Sequence, residues 1–523
     1  MAFFHLPFSL LSCRTLLSIG VCITVLCFLA NAIYRLFISP LSVIPGPWYA
    51  SVSDFWLSTH VLRLRQCKKV QELFDVYGPV VRVGPNKVVF RDVSSMRNVY
   101  SVHKFDKSSY YKSVLTNDND HAMTTLEHAE HAIRRKAYAS HYTPSNVAKF
   151  QPEIHEVMAG LLDTLSKVAG TSALECLSLF RHLMVDLVVL SSYGYRLGAV
   201  SKWAMDVEDP LSTAISDFPK RGILRSIVPA WAWKIVCRIP NKRWRQLCDS
   251  DRIMAEFVGA RVYEMRSEMN NGDLNIESDK MPMLQRLLQY QNPSNNRCMT
   301  DRDVISECMG HMIAASDTTS ASLSYFFWEL SRRPDIMQKL QAELDDAMPD
   351  AKTLPDIAEL QSLPYLNAFI KEGLRLYGAA PSLLERVVPS SANAGVSEEF
   401  YDLMGFALPP GTIVSTQAWS MHRDTSIFTS PETFLPERWL ESASTPRDQL
   451  VRMAQHMMPF GTGTRVCGGQ YLAQVMLKIV VAAVARNFNV VAPSETNEKS
   501  MEVKDSFVIF PAAMECKLIF YPR

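Results

Sequence analysis

The sequence predicts a mainly helical domain with a small β component, preceded by one N-terminal transmembrane helix. Three patterns support this prediction. An almost continuous apolar run covers residues 16–34. Helical periodicity dominates from about residue 93 to 266 and again from 301 to 376. Strand patterns are short and fall at 80–90, 386–388, 412–414 and 507–521, so we expect small sheets only.

The composition excludes some classes of protein. The chain has 523 residues, with 54 Lys and Arg against 53 Asp and Glu, so its charge balance gives no indication of a nucleic-acid partner. Its 11 cysteines are scattered without C-x-x-C pairs, and the odd number argues against a disulfide framework. We therefore expect the bulk of the protein to lie in a reducing compartment.

The apolar run at residues 16–34 is near the minimum length that spans a bilayer as a helix. A cleaved signal peptide is the alternative, but its apolar region would be shorter, and no small-x-small cleavage site precedes the proline-rich segment. We favour a retained membrane anchor over residues 1–38. A proline-rich hinge follows at 39–50, where Pro40, Pro45 and Pro47 stiffen the chain. One domain then fills residues 51–523.

A helix of more than 30 residues is predicted from Asp301 to Arg333, with Thr300 as its N-cap. At 1.5 Å per residue it is about 50 Å long and crosses a whole domain. Its middle carries Asp317 and Thr318, which are poor helix formers and are costly to bury without hydrogen bonds. A harmless kink, in which a hydroxyl bonds back to a carbonyl, is one interpretation. A polar functional site is the other.

Cys467 lies where a glycine-rich loop, residues 460–469, meets an apolar helix over 470–488. A helix N-terminus favours an anion and lowers the pKa of a thiol. Three interpretations compete: a buried structural cysteine, a phosphate-binding loop, and an axial thiolate for haem iron. The phosphate loop is rejected because no Lys-Ser/Thr pair follows and a third glycine of a dinucleotide turn is missing.

The loop resembles the haem-thiolate signature F-x-x-G-x-R-x-C-x-G of the cytochrome P450 family. Phe460, Gly463, Arg465, Cys467 and Gly469 fill its fixed positions. The resemblance implies the cytochrome P450 fold and haem b as cofactor, with Cys467 as the axial ligand of the iron. It also implies that Arg465 faces a haem propionate and that Phe460 and Gly469 help to form the cofactor site.

Four further elements resemble this family in order and spacing. His131 and Arg135 stand in a W-x-x-x-R element that binds a propionate, with His in place of Trp, and Arg386 occupies a second propionate position. The middle of the long helix resembles A-G-x-D/E-T, with Ala315 in place of Gly, which implies that Asp317 and Thr318 deliver protons. The spacing of Glu372 and Arg375 alone fits a surface ion pair of little value. It also resembles the E-x-x-R element, which implies a buried structural network with Arg438 of the segment 436–439.

Two less specific expectations concern contacts outside the haem site. The segment Phe218–Lys234 mixes basic residues with tryptophans, which fits core packing or, given an anchor, an interfacial contact with lipid. The C-terminal hairpin resembles the substrate-contacting loop of the family, and we expect it to turn at about residues 510–512.

The resemblance implies a membrane-anchored, fungal-type haem-thiolate monooxygenase. It would insert one atom of dioxygen into an apolar small molecule with electrons from NADPH, through an NADPH–cytochrome P450 reductase. The expected location is the endoplasmic reticulum membrane, single-pass, with the catalytic domain on the cytoplasmic side. Fungal relatives suggest secondary metabolism of a terpenoid, polyketide or alkaloid. Two alternatives stay open: a haem-thiolate isomerase or dehydratase without reductase, and a non-catalytic haem-binding membrane protein.

Overall fold

Helices make up most of the chain in the computed structural model, which describes residues 13–272, 280–293, 295–390, 400–505 and 507–523. The expected class, mainly α with small sheets, is confirmed. The helices are α1 Cys13–Ile33, α2 Trp48–Val52, α3 Phe55–Leu62, α4 Gln66–Tyr77, α5 Val93–Arg97, α6 His128–Tyr138, α7 Pro144–Lys149, α8 Gln151–Val168, α9 Cys176–Tyr193, α10 Ala199–Ala204, α11 Pro210–Ile227, α12 Ala230–Val236, α13 Lys242–Asn271, α14 Met283–Gln289, α15 Asp301–Arg332, α16 Pro334–Ala347, α17 Ile357–Ser362, α18 Pro364–Tyr377, α19 Ala418–Met421, α20 Arg447–His456 and α21 Gln470–Asn487.

The strands form small sheets at the edges of this helical body. They are β1 Val80–Gly84, β2 Lys87–Phe90, β3 Leu174–Glu175, β4 Arg386–Val387, β5 Tyr401–Leu403, β6 Phe406–Leu408, β7 Ile413–Ser415, β8 Phe488–Val491, β9 Val503–Lys504, β10 Phe510–Pro511 and β11 Lys517–Pro522. The largest sheet has the order β1-β2-β7-β4. Strands β1 and β2 form the predicted hairpin, with Val80 opposite Phe90, and β2 pairs in parallel with β7.

The N-terminal helix stands apart from the rest of the chain. Thr15–Ile38 is long and apolar enough to cross a membrane, and none of this span is buried. A second helix, Cys176–Tyr193, passes the same test of length and composition, but 78% of it is buried, so it is a core helix of the domain. The apolar run therefore gives one candidate membrane anchor.

The proline-rich segment 39–50 packs against the domain. A 3₁₀ turn spans Pro40–Val43, and Leu41 and Ile44 are buried in the cluster that contains β1 and β7 residues. The backbone N–H of Arg82 in β1 donates to the Pro45 carbonyl over 2.8 Å. These contacts attach the segment that follows the anchor to the edge of the four-stranded sheet.

Helix α15 is the central element of the domain. It begins after Thr300, whose side chain accepts the backbone N–H of Asp303 as predicted, and it continues to Arg332. Most of its residues from Val304 to Leu330 are buried. The main hydrophobic core surrounds its second half and is formed by α8, α9, α16, α18, α21 and the C-terminal strands. The uninterrupted helix holds Asp317 and Thr318 at the centre of the fold.

The predicted turn of the C-terminal hairpin is displaced. Phe510 and Pro511 form strand β10 and pair with Lys504 and Val503, so the turn of this hairpin precedes residue 510. Pro511 lacks the N–H that pairing between β-strands requires, and the sequence pattern therefore indicated a turn at this residue. A two-stranded sheet has only edge strands, which is where a strand proline is tolerated.

Candidate active site

The loop from Phe460 to Gly469 reverses tightly before α21 begins. Gly461 and Gly463 both have positive φ angles, 74° and 70°, which glycine adopts without strain. The Phe460 carbonyl accepts the backbone N–H of Cys467 over 2.9 Å and closes the loop. Gly469 is the residue before the first turn of α21, as the helix boundary at 470 predicted.

The Cys467 side chain is solvent-accessible, although it lies within the fold rather than at its outer surface. Burial raises the pKa of its thiol, while the Gly469 N–H, which bonds to the sulfur, and Arg135 oppose that rise. The lowering of the thiol pKa that we expected from the helix N-terminus is therefore outweighed, in the polypeptide alone, by the rise that burial causes. A sulfur that is accessible and yet surrounded by protein faces an internal space, which is what a metal ligand requires.

Gly463 is required by a close approach of another backbone segment. A Cβ built on Gly463 would lie 2.1 Å from the carbonyl oxygen of Tyr100. Tyr100 is itself held in place, because its hydroxyl donates to the Leu384 carbonyl over 2.6 Å and accepts the Thr416 N–H over 3.0 Å. The cysteine loop thus rests on the π-helical turn Asn98–Val102, which is fixed by the hydrogen bonds of Tyr100.

Basic side chains gather beside this loop. Arg386 is buried, and its Nη1 donates to the Glu385 carbonyl over 2.8 Å. Arg465 donates to the carbonyls of Thr125 and Leu126 over 2.9 and 2.6 Å. Burial and, to a smaller extent, the nearby Arg386 lower the pKa of Arg465 to about 10, so the two cations are close enough to repel each other.

His131 and Arg135 reach the same region from α6. Arg135 Nη1 donates to the Val466 carbonyl over 2.6 Å, next to Cys467. His131 is buried, and burial together with the nearby Arg465 lowers its pKa to about 3. His131 is therefore a neutral imidazole at physiological pH.

Lys107 is the fourth member of this cation cluster, which consists of Lys107, Arg135, Arg386 and Arg465, with the neutral His131 beside them. Its ammonium is buried, donates to the Met123 carbonyl over 2.6 Å and lies 4.4 Å from the centre of the Tyr111 ring. Burial, and then Arg386 and Arg465, lower its pKa well below the usual range. No sequence pattern around residue 107 indicated this position.

The cation cluster fits the acidic groups of haem. Among the described residues no carboxylate lies within 4 Å of Lys107, Arg135, Arg386 or Arg465. The hydrogen bonds of these cations end on carbonyl oxygens and, for Arg386, also on the Tyr111 side chain. Buried cations without counter-charges are costly. Two propionates placed among them would supply the missing negative charge.

The long helix presents an accessible patch to the interior at the predicted position. Ala314 is exposed, although residues on either side of it along α15 are largely buried. The Thr318 hydroxyl, one turn later, donates to the Ala314 carbonyl over 2.6 Å. Ala315 lines a cavity of about 30 Å³ together with Leu472 and Met476 of α21, so this part of α15 packs against the helix that follows Cys467.

Asp317 is buried and forms an ion pair, with Arg181 Nε of α9 2.6 Å from its Oδ1. No local pattern indicated Arg181, because an ion pair between α9 and α15 joins residues far apart in the chain. The arrangement supplies the buried carboxylate with the charge partner that its burial requires.

The expected network around Glu372 is present. The Glu372 carboxylate accepts two bonds from Arg375, over 2.9 and 2.8 Å, and one from Arg438 over 2.9 Å. It also accepts the Leu435 N–H and the Trp439 indole N–H, each over 2.9 Å. All three charged side chains are buried, with 0% exposure for Glu372. The spacing at residues 372–375 therefore belongs to the core and not to a surface pair.

His422 connects this network to the cysteine loop. Its Nδ1 is 3.0 Å from the Arg375 carbonyl, and its Nε2 accepts the Met458 N–H over 2.8 Å. Burial lowers the pKa of His422 to about 3, so the ring is neutral, with one donor and one acceptor nitrogen. A lone histidine in the sequence carried no signal for this role.

A recessed cysteine beside unpaired cations, with an acid and an alcohol on the helix that crosses the core, is the arrangement of haem-thiolate proteins. The family model described as cytochrome P450 matches residues 45–518. The chain therefore belongs to the cytochrome P450 family, whose cofactor is haem and whose members are oxidoreductases. The resemblance drawn from the cysteine loop is confirmed.

Several fungal proteins are similar over nearly the whole chain. The cytochrome P450 monooxygenase cypX of Dothistroma septosporum is 28% identical over 491 residues, which cover 92% of this chain and 91% of that protein. The cytochrome P450 monooxygenase stcB of Emericella nidulans is 28% identical, with coverages of 92% and 88%. The cytochrome P450 monooxygenase aflV of Aspergillus parasiticus is 27% identical, with 92% of each chain covered. The expected enzyme class agrees with these relatives.

Proposed function

We propose that this protein is a membrane-anchored haem-thiolate monooxygenase that inserts one atom of dioxygen into an apolar small molecule. The observation that carries the proposal is the accessible Cys467 sulfur in a loop bordered by four cations, of which Lys107 and Arg386 are buried, and none of which forms an ion pair with a described carboxylate. Electrons come from NADPH through an NADPH–cytochrome P450 reductase. The pathway class is fungal secondary metabolism of a terpenoid, polyketide or alkaloid, supported by the organisms of the similar monooxygenases.

The cation cluster and the cysteine loop hold haem b. Cys467 would supply the sulfur that binds the iron, Phe460 and Gly469 would shape the loop around it, and the Gly469 N–H would stabilise the charge on a thiolate. Lys107, Arg135, Arg386 and Arg465 bind the propionates, with neutral His131 beside them as a hydrogen-bonding group. When bound, haem supplies the redox-active iron at which dioxygen is activated.

Thr318 and Asp317 manage protons on the opposite side of the site. The Thr318 hydroxyl donates a hydrogen bond to the Ala314 carbonyl. Its oxygen Oγ1 is therefore left to accept a hydrogen bond from the accessible side of α15. Asp317 is held in place by Arg181, whose Nε lies 2.6 Å from its Oδ1, and its Oδ2 accepts and returns protons at the reacting face. The pair thus orients a proton donor at the reacting face.

The membrane contributes to the proposed function. The apolar helix Thr15–Ile38 anchors the chain in the endoplasmic reticulum membrane, with residues 51–523 as the catalytic domain on the cytoplasmic side. In the segment 218–234, Phe218 is a core residue with 2% exposure, whereas Trp231 is 77% exposed. Trp231 is therefore the side chain that supports an interfacial lipid contact near the substrate entrance.

The ligand assignment is tested with Cys467→Ala in the full-length protein. The reduced, carbon monoxide-bound protein should lose the red-shifted Soret band that a thiolate ligand produces. Cys298→Ala changes an exposed cysteine outside the site and is the matched control. An unchanged band in Cys467→Ala would remove the central assignment.

The reaction class is tested by NADPH consumption with purified reductase and a candidate substrate. Product formation that needs no reductase would favour an isomerase or dehydratase, and the absence of turnover with haem bound would favour a carrier. Thr318→Ala should keep haem but divert reducing equivalents to peroxide, so that less product forms per NADPH. Thr319→Ala, a buried neighbour, is the control, and equal product yield in the two variants would refute the proton role.

A further inference from the structure

Helix α15 carries a buried carboxylate that takes no part in the proton chemistry proposed above. Glu307 is 1% exposed, and its oxygens Oε1 and Oε2 both accept the backbone N–H of Ala122, each over 3.1 Å. Burial raises the pKa of Glu307, whereas the nearby His311 lowers it. His121 and Arg134 lower it as well, so the pKa lies below its usual range and Glu307 is ionised. Glu307 is therefore a buried anion that is bonded to the loop before α6.

Two side chains hold the Glu307 carboxylate from other directions. His311 Nε2, one turn further along α15, lies 3.4 Å from Oε1, and His311 Nδ1 lies 2.9 Å from the Tyr142 hydroxyl. Arg134 Nη1 of α6 lies 3.6 Å from Oε2, and Arg134 Nη2 donates to Asp303 Oδ1 over 3.0 Å. Contacts with α15 itself and with α6 therefore fix the place of the carboxylate that Ala122 bonds to.

Residues 121–126 form a compact turn, and Glu307 holds this turn near its beginning. The His121 carbonyl accepts the backbone N–H groups of Thr124 and Thr125, each over 3.0 Å, and the Thr125 hydroxyl over 2.9 Å. The Thr124 hydroxyl oxygen accepts the His121 N–H over 3.0 Å. A Cβ built on Gly310 would lie 2.5 Å from His121 Nδ1, so the turn lies directly against α15. The turn 121–126 is thus one hydrogen-bonded unit attached to the long helix.

The other end of the turn 121–126 carries the carbonyls that orient two members of the cation cluster. Lys107 Nζ donates to the Met123 carbonyl over 2.6 Å, and the backbone N–H of Lys107 donates to the Leu126 carbonyl over 3.2 Å. Arg465 donates to the carbonyls of Thr125 and Leu126 over 2.9 and 2.6 Å. A displacement of the turn would therefore move the ammonium and the guanidinium together.

We propose that Glu307 is a positioning residue of the haem site, which holds Lys107 and Arg465 through the turn 121–126 at the places where they bind the propionates. This inference rests on the haem site proposed above and adds a residue that acts on it from outside. Because the Glu307 carboxylate is enclosed by protein groups, it acts through the Ala122 N–H and not by contact with the cofactor. A hydrogen bond to a charged acceptor is strong enough to fix such a turn.

The test is a double-mutant cycle on the full-length holoprotein, in which haem loss to excess apomyoglobin is measured. Glu307→Gln keeps one acceptor oxygen but removes the negative charge, and it should speed haem loss about 5- to 20-fold. In the Lys107→Met background the same change should have a factor at least about threefold smaller, because one of the cations that it positions is already absent. Equal factors in the two backgrounds, or haem loss at the wild-type rate, overturn the proposal.

Resonance Raman spectra of the same holoproteins give a readout that a general loosening of the fold does not move. The propionate-bending band reports the bonds that the propionates accept, so it should shift in Glu307→Gln in the same direction as in Lys107→Met. An unshifted band in Glu307→Gln overturns the proposal.

Glu329→Gln is the matched control. Glu329 is also 1% exposed on α15, but its partners are Arg332 and Tyr377, neither of which belongs to the cation cluster. The control should leave the Raman band in place and haem loss within about twofold of the wild type. Haem loss as fast as in Glu307→Gln would show that any buried charge on this helix has the same effect, and it would overturn the proposal.

Glu307→Asp keeps the proposal testable if Glu307→Gln fails to fold. It retains the charge beside Arg134 but withdraws the carboxylate from Ala122 by one methylene, and it should speed haem loss about threefold with the same dependence on Lys107. Haem loss at the wild-type rate in this variant overturns the proposal. The wild type shows separately whether the proposed function stands: a wild type without the red-shifted Soret band overturns the haem site and this inference together, whereas unchanged variants of a wild type with that band overturn this inference alone.

Discussion

Replacing Lys107 by methionine should have opposite effects on the protein with and without haem. The Lys107 ammonium is buried, donates to one carbonyl over 2.6 Å and has no carboxylate within 4 Å among the described residues. In the proposed holoprotein a haem propionate would be its partner. A hydrogen bond to a charged group contributes about 1.5–3 kcal/mol, so Lys107→Met should speed haem loss about 10- to 150-fold.

The haem-free chain should behave differently. Folding lowers the pKa of Lys107 well below its usual range, chiefly by burial and then by Arg386 and Arg465. The folded chain therefore binds this proton less tightly than the unfolded chain, and the difference lowers stability at neutral pH. Removing the charge should leave the free energy of unfolding of haem-free protein unchanged within about 1 kcal/mol, or raise it.

Two measurements on the same preparation check this prediction. Haem loss is followed by transfer to excess apomyoglobin, and the stability of the haem-free protein by urea unfolding in detergent. Lys104→Met removes an exposed lysine nearby and should change neither quantity. Haem loss at the wild-type rate, or a haem-free chain that is less stable by more than about 2 kcal/mol, would show that Lys107 has a structural role and does not bind the cofactor.

Three further changes test the support of the cysteine loop. Glu372→Gln leaves Arg375 and Arg438 without a buried counter-charge and should lower the free energy of unfolding by about 3–5 kcal/mol, measured by urea unfolding of the holoprotein. Gly463→Ala should lower it by about 2–5 kcal/mol and reduce haem content, because the methyl group meets a carbonyl at 2.1 Å and φ is positive. His422→Gln keeps a donor and an acceptor but removes a group that protonates at about pH 6.5 unfolded and about 3 folded. The stability that neutral His422 provides to the wild type is fully present above pH 6.5 and falls as the pH decreases below it. Between pH 6.5 and 4 the free energy of unfolding of the variant should therefore fall less steeply than that of the wild type, by about 1.4 kcal/mol per pH unit.

Matched variants accompany these tests. Glu256→Gln removes a carboxylate from an exposed ion pair with Arg252 and should cost less than about 1 kcal/mol. Gly411→Ala has a similar positive φ, 83°, with open space around it, and should cost about 1–2 kcal/mol. Equal losses within either pair of variants would contradict the geometric argument, as would an unchanged acid dependence in His422→Gln.

The sequence indicated those parts of the site that lie close together in the chain. The cysteine loop is one stretch, Glu372 and Arg375 are one turn apart, and the cap at Thr300 is a local pattern, so each could be recognised from spacing alone. The fold class followed from the same kind of local periodicity. These predictions concern groups that interact across few residues.

The contacts that the sequence could not indicate join distant segments. Arg181 forms an ion pair with Asp317 of another helix, and His422 accepts a hydrogen bond from Met458 of another loop. Lys107 is brought into the cation cluster by an isolated β-bridge between its backbone and that of Arg386. Nothing in the neighbourhood of these residues distinguishes them from surface or core residues of the same type. The turn of the C-terminal hairpin was misplaced for a related reason, since the pairing of Pro511 depends on a strand that the pattern did not reveal.

The path from Glu372 through Arg375 and His422 to Met458 consists entirely of bonds between protein groups. The support of the cysteine loop is therefore built from side chains that lie far away in the sequence. A substitution at any of them would reach the proposed cofactor site through the protein, by way of the loop that carries Cys467.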